Sequence, residues 1–174
     1  MNAYFWADEF RATFDEAVKA YRAGKRDAGN LFSEKQRAFL ATLGASAQEI
    51  FDFVEDHSSG GDPSFESTLL VTAVRRDYFL AVQKGQWSKH VVSMAALPTK
   101  SAAVDGIEWL PRIIEKACAK LRGEMPPDLM YGCGGDRAFL NGAKIHLADF
   151  LRVTWAAHDD DRKIIDYVKQ QRGR

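Results

Sequence analysis

The chain has 174 residues with 24 basic and 24 acidic side chains, a formal net charge of zero, and 46% apolar residues. That balance excludes a strong nucleic-acid field or a polybasic membrane anchor, and the 11 Phe, 5 Tyr and 4 Trp exclude intrinsic disorder. No apolar run approaches the roughly 20 residues of a membrane helix, and the first residues lack the basic and apolar regions of a signal peptide. With two cysteines and no zinc spacing, a soluble cytoplasmic protein without a cofactor is expected.

Helical signals then follow in chain order. Asp8 predicts the cap of a first helix whose apolar residues Phe10, Phe14, Ala17, Val18 and Tyr21 form one stripe, with Gly24 at its end. Ser33 with Gln36, and Ser46 with Glu49, have the spacing of two successive capping boxes. The first opens a short helix through Phe39, Leu40 and Leu43, stopped by Gly44; the second puts Ala47, Ile50, Phe51 and Val54 on one side. Residues 57–63 read as a loop, after which Ser64 caps a long helix from about Phe65 to Lys84, closed by Gly85. It is apolar on more than one side and is expected to be central. Arg75 or Arg76 inside it would require a carboxylate, and Asp52, Asp56 and Asp62 are nearest in the chain.

Between Gly85 and Gly106 the periodicity weakens, and Val91, Val92, Met94 and Leu97 favour packing over a bare linker. Pro111 suits the first turn of a helix carrying Ile113, Ile114, Ala117, Cys118 and Leu121, ended by Gly123. A glycine-rich turn, Gly132-Cys133-Gly134-Gly135, leads to Asp136 as the expected cap of the next helix. Two more helices follow, one around Leu147 to Trp155 and one capped within Asp159, Asp160 and Asp161, whose basic end suits its dipole.

Arg37-Ala38-Phe39-Leu40 recurs unchanged as Arg137-Ala138-Phe139-Leu140. The same offset aligns Ala17 with Ala117, Phe14 with Ile114, Val18 with Cys118 and Tyr21 with Leu121. This pattern predicts an all-α fold of two similar helical halves, an internal duplication. The expected division is 1–86 for the first half, 87–105 for a connecting segment and 106–174 for the second half.

The run Gly106-Ile107, Trp109-Leu110-Pro111-Arg112, Lys116-Ala117, then Gly123, Cys133, Asp136-Arg137 and Phe139, ending in Ile164-Ile165 and Tyr167-Val168, resembles a bacterial family. That family is catalogued only as a domain of unknown function, number five thousand and sixty-nine. The resemblance covers about residues 106 to 170, with Glu115 where the family usually has Asp and Gly134 where it commonly has Pro. The first half fits more loosely. The resemblance implies an all-α fold and no established activity.

Three groups of residues carry chemical possibilities. Cys133 precedes a helix start, where the dipole favours a thiolate, and Arg112, Lys116, Asp136 and Arg137 complete a candidate turn for a small anionic ligand. The plainer reading of Cys133 is a small residue in the place of Ser33, and Arg112 and Lys116 could equally pair with Asp105, Glu108 or Asp136 to serve the fold. Asp52 and Asp56, with Glu49, share one helical face and are candidate divalent-metal ligands, though opposite an apolar face they read first as solvated charges. Cys118 falls on an apolar stripe and reads as core, and Trp87, Trp109 and Trp155 as core or interface anchors.

The function expected from these residues is a non-catalytic helical binding or interaction module. It would serve a protein partner or a second copy of itself, with a small anionic ligand between the halves. The alternatives are a small enzyme using Cys133 on an anionic substrate, and a metal site on the acidic helix. Neither nucleic acid nor a membrane is an expected partner.

Overall fold

Capping chemistry decides where most of the helices begin. The computed structural model describes residues 5–173, and among them nine α-helices account for most of the chain. They form two compact units, one up to Arg76 and one from Asp77, so the boundary falls inside the fifth helix.

In the first unit, α1 (Phe5–Arg22) begins before Asp8, which sits in its first turn, and buries the expected stripe from Phe10 to Tyr21. A four-residue helix, α2 (Ala28–Leu31), is capped by the Asp27 carboxylate accepting from the Gly29 N–H. It is too short to show a period, so the sequence pattern missed it. α3 (Glu34–Thr42) and α4 (Ala47–Gly60) both start with complete capping boxes, Ser33 with Gln36 and Ser46 with Glu49. α4 runs on through His57, Ser58, Ser59 and Gly60, which the sequence placed in a loop, and stops at left-handed Gly61. Packing holds that extra turn: His57 lies edge-on to Phe14 at 5.4 Å, and its Nδ1 donates to the Pro63 carbonyl at 2.9 Å. α1 packs against α4, and Phe10, Phe14, Ile50, Phe53, Val54 and Phe65 form the core.

α5 (Phe65–Ala81) starts at Ser64, whose Oγ accepts from the Ser67 N–H. It ends three residues earlier than expected, because Lys84 and Gly85 both take positive φ, 56° and 76°. Arg75 is fully buried in the first unit and its Nε donates to the Gly44 carbonyl at 2.8 Å.

In the second unit, the weakly patterned segment after Gly85 is ordered by Glu124. The Glu124 carbonyl accepts from the Val92 N–H at 2.9 Å, and its carboxylate accepts from the Ser88 hydroxyl at 2.7 Å. Leu97 is buried there, whereas Val91 and Met94 are exposed. A two-stranded hairpin follows, β1 (Ala103–Val104) antiparallel to β2 (Ile107–Glu108), with Val104 opposite Ile107. Asp105 and Gly106 both have positive φ, the backbone a tight two-residue hairpin loop requires.

α6 (Leu110–Arg122) has Pro111 in its first turn and left-handed Gly123 as its C-cap. It packs against α8 (Leu147–Ala157) and α9 (Asp161–Arg172), with α7 (Gly134–Gly142) preceding them. The Asp160 carboxylate caps α9. Cys133, not Asp136, is the N-cap of α7, and its thiol makes no capping bond. Asp136 is the third residue of that helix, and its carboxylate is used elsewhere.

Positions 100 apart have similar local geometry. α3 and α7 each have nine residues, and their C-caps Leu43 and Ala143 have φ of −89° and −91°. The next residues, Gly44 and Lys144, are both left-handed, at 67° and 58°. Ala45 and Ile145 then donate back to the carbonyls of Leu40 and Leu140 at 3.1 and 2.9 Å. Among the described residues no helix is long and apolar enough to cross a membrane.

Candidate functional site

Lys116 falls on the inward stripe of α6, beside Ile113 and Ala117, so its charge is carried into the interior. An ammonium there is costly unless a countercharge and hydrogen bonds accompany it. Asp136 supplies both. The two side chains are 2% and 0% exposed and form an ion pair through Lys116 Nζ and Asp136 Oδ2.

Asp136 accepts two further hydrogen bonds, from the Gly132 N–H at 2.9 Å and the Trp109 indole N–H at 3.0 Å. Local backbone geometry aims each donor. The hairpin delivers Trp109 to the start of α6 in a left-handed conformation, φ 69°, and Gly132 has φ 88°. Gly135 makes room for the indole, since a Cβ on it would lie 2.5 Å from Trp109 Cζ2. The Cys133 thiol is half-buried with its Sγ 3.3 Å from Lys116 Nζ, and Arg137 Nη1 donates to the Gly132 carbonyl at 2.6 Å.

The structure therefore brings together Lys116, Cys133 and Asp136, with Arg137 joined through Gly132. Arg112 goes elsewhere, its Nη1 on the Pro98 carbonyl at 2.7 Å. Lys116 is interior and takes Asp136, one of the carboxylates weighed for it above, as its countercharge. The arrangement pins the start of α7 onto α6. Nearby, Tyr131 is fully buried with its hydroxyl donating to the Leu147 carbonyl at 2.8 Å, and burial pushes that hydroxyl well above the ordinary tyrosine range.

On the acidic helix, Asp52 accepts from Gln48 Nε2 at 2.7 Å. The neighbouring Glu55 accepts from the Tyr21 hydroxyl at 2.9 Å, a bond that raises the Tyr21 pKa. Among the described residues no group of three or more His, Cys, Asp or Glu side chains is placed to hold a metal ion, so the structure does not gather Asp52 and Asp56 into such a set.

A cleft of about 180 Å³ lies within the second unit, and sequence reasoning missed it. Tyr78 of α5, Val82 just beyond its end, Cys118 and Arg122 of α6, and Thr154 and Trp155 of α8 line it. The Trp155 ring meets Tyr78 edge-on at 5.5 Å. Burial pushes the Cys118 thiol up to about 11, so it stays protonated at neutral pH. Arg122 Nε donates to the Glu124 carboxylate at 3.0 Å, while its Nη1 stands 3.8 Å from Asp159. His158 and Asp159, at the rim, are consecutive left-handed residues with φ of 49° and 62°. The one sequence cue was Arg122 falling four residues after Cys118, on the same face of α6.

Comparison with known protein families, curated proteins and solved structures finds no match to this chain.

Proposed function

We propose that the chain is a non-catalytic helical binding module for a small anionic ligand. The observation that carries this reading is the cleft of the second unit, where the Arg122 guanidinium borders a pocket walled by Tyr78 and Trp155. A concave, largely apolar site with a few placed polar groups is the usual form of a small-molecule site. By contrast, Asp136, Arg112 and Arg137 bond to backbone groups, and Lys116 is taken by the Asp136 carboxylate. The one thiol in the cleft, Cys118, is held protonated and is a poor nucleophile.

Native mass spectrometry of gently purified protein tests the reading. The expected spectrum carries a small-molecule adduct, or acquires one from a panel of small anions. A bare mass that no anion changes would end it.

A second reading, a cysteine-dependent enzyme, is favoured by one contact, Lys116 Nζ at 3.3 Å from Cys133 Sγ. It requires native Cys133 to alkylate with iodoacetamide faster than an unfolded-chain cysteine at neutral pH. The binding reading expects slower alkylation than in the unfolded chain.

We also read the matched caps 100 residues apart as the trace of an internal duplication. The resemblance of residues 106 to 170 to the family of unknown function is read as distant kinship, supported by the Leu-Pro-Arg run at the start of α6.

A further inference from the structure

We infer that the cleft beside Arg122 takes a monocarboxylate built on a single aromatic ring. This rests on the small-anion reading and specifies its ligand. Size sets the first limit. A cavity of about 150 Å³ accommodates benzene, so a cleft of about 180 Å³ seats one ring with a small substituent.

The walls set the second limit. Tyr78 and Trp155 offer ring faces and edges, and Val82 and the protonated Cys118 thiol add apolar surface. An aromatic body gains from such neighbours beyond its area alone. Thr154 contributes no polar contact to a ligand through its proton, because its hydroxyl donates to the Phe150 carbonyl at 2.9 Å.

The charge follows from Arg122. Its Nε is engaged by Glu124 at 3.0 Å, which fixes the plane of the guanidinium. Its Nη1 is 3.8 Å from the Asp159 carboxylate, beyond hydrogen-bond distance, and the Asp159 side chain is 89% exposed. An exposed ion pair of that kind is worth little. A ligand carboxylate held against the cleft wall can displace it and form a direct charge-assisted bond to Nη1.

Calorimetric titration of the full chain with benzoate, benzamide, benzylamine and inorganic phosphate tests the inference, with the Trp155 indole N–H followed by NMR. Benzoate should bind saturably and shift that indole resonance, with benzamide and benzylamine at least roughly tenfold weaker, the usual loss when a charged hydrogen bond is removed. Arg122→Gln should weaken benzoate by a similar factor. Asp159→Asn, at an exposed site that leaves the fold intact, should tighten it roughly two- to threefold by removing the competing carboxylate.

Equal affinity for benzoate and benzamide, or no change in Asp159→Asn, would overturn the inference. Phosphate binding without benzoate binding would also overturn it while leaving the small-anion reading standing. Failure of every anion would remove both.

Discussion

Positions 16 and 36 meet in the first unit and positions 116 and 136 meet in the second, but the chemistry is opposite. Gln36 Nε2 donates to the Glu16 carboxylate at 2.7 Å in an exposed pair, while Gln36 Oε1 closes the capping box on Ser33. Lys116 and Asp136 make an ion pair sealed from solvent, and the N-cap between them is a thiol with no capping bond. The residues above each turn account for the difference. In the first unit Glu9 and Lys35 border an open hollow that also touches Glu16, Ser33 and Gln36. In the second, the Trp109 indole lies against Gly135 and donates to Asp136, so an indole covers the turn. Once covered, a polar pair must satisfy itself fully. Asp136 does so with three donors.

The largest expected effect separates the two turns outright. Asp136→Ala leaves a buried ammonium without its countercharge and should cost about 3–5 kcal/mol. Gln36→Ala, at the same place in the first unit, should cost about 1 kcal/mol or less, the scale of a lost cap. Urea unfolding of both variants measures this, and equal losses would break the comparison.

A smaller effect comes from the covering residues. Gly135→Ala drives a methyl into the Trp109 ring and should cost about 1–3 kcal/mol, the range of overpacking. Lys35→Ala, exposed, should stay within about 0.5 kcal/mol. The caps themselves come next. Ser33→Ala should cost about 1 kcal/mol, and Cys133→Ala less, since Sγ accepts no backbone N–H at that helix start.

Another effect is a pH dependence of the second unit. Cys118 titrates at about 11 when folded against an ordinary 9.0, and Tyr131 is also raised by burial. The unfolded chain therefore releases protons that the folded chain keeps, so stability falls as pH rises from about 9 to 11, and Tyr131 extends the fall. Cys118→Val should flatten the first part of that decline in urea midpoints measured across the range. An unchanged slope would contradict the burial of this thiol.

The helices were legible where side chains announce their own ends. Ser33, Gln36, Ser46 and Glu49 cap through bonds three residues away, so their spacing alone located α3 and α4. The start of α7 was located as a turn, but Asp136 was misread as its cap. Its partners Lys116 and Trp109 are distant in sequence, and only tertiary structure brings them together. The hairpin was missed although Asp105-Gly106 is a strong turn signal, because strands of two residues carry no alternation to read. The cleft was illegible because its walls come from segments far apart in the sequence.

The buried pair is assigned to the fold, and the cleft is proposed as the ligand site. The double variant Lys116→Gln with Asp136→Asn removes both charges while keeping hydrogen-bonding groups at both positions, and benzoate titration of that folded variant tests the claim most directly. The expected result is a folded protein that binds benzoate with wild-type affinity. A folded protein that has lost benzoate binding would contradict it and return the site to Lys116, Cys133 and Asp136.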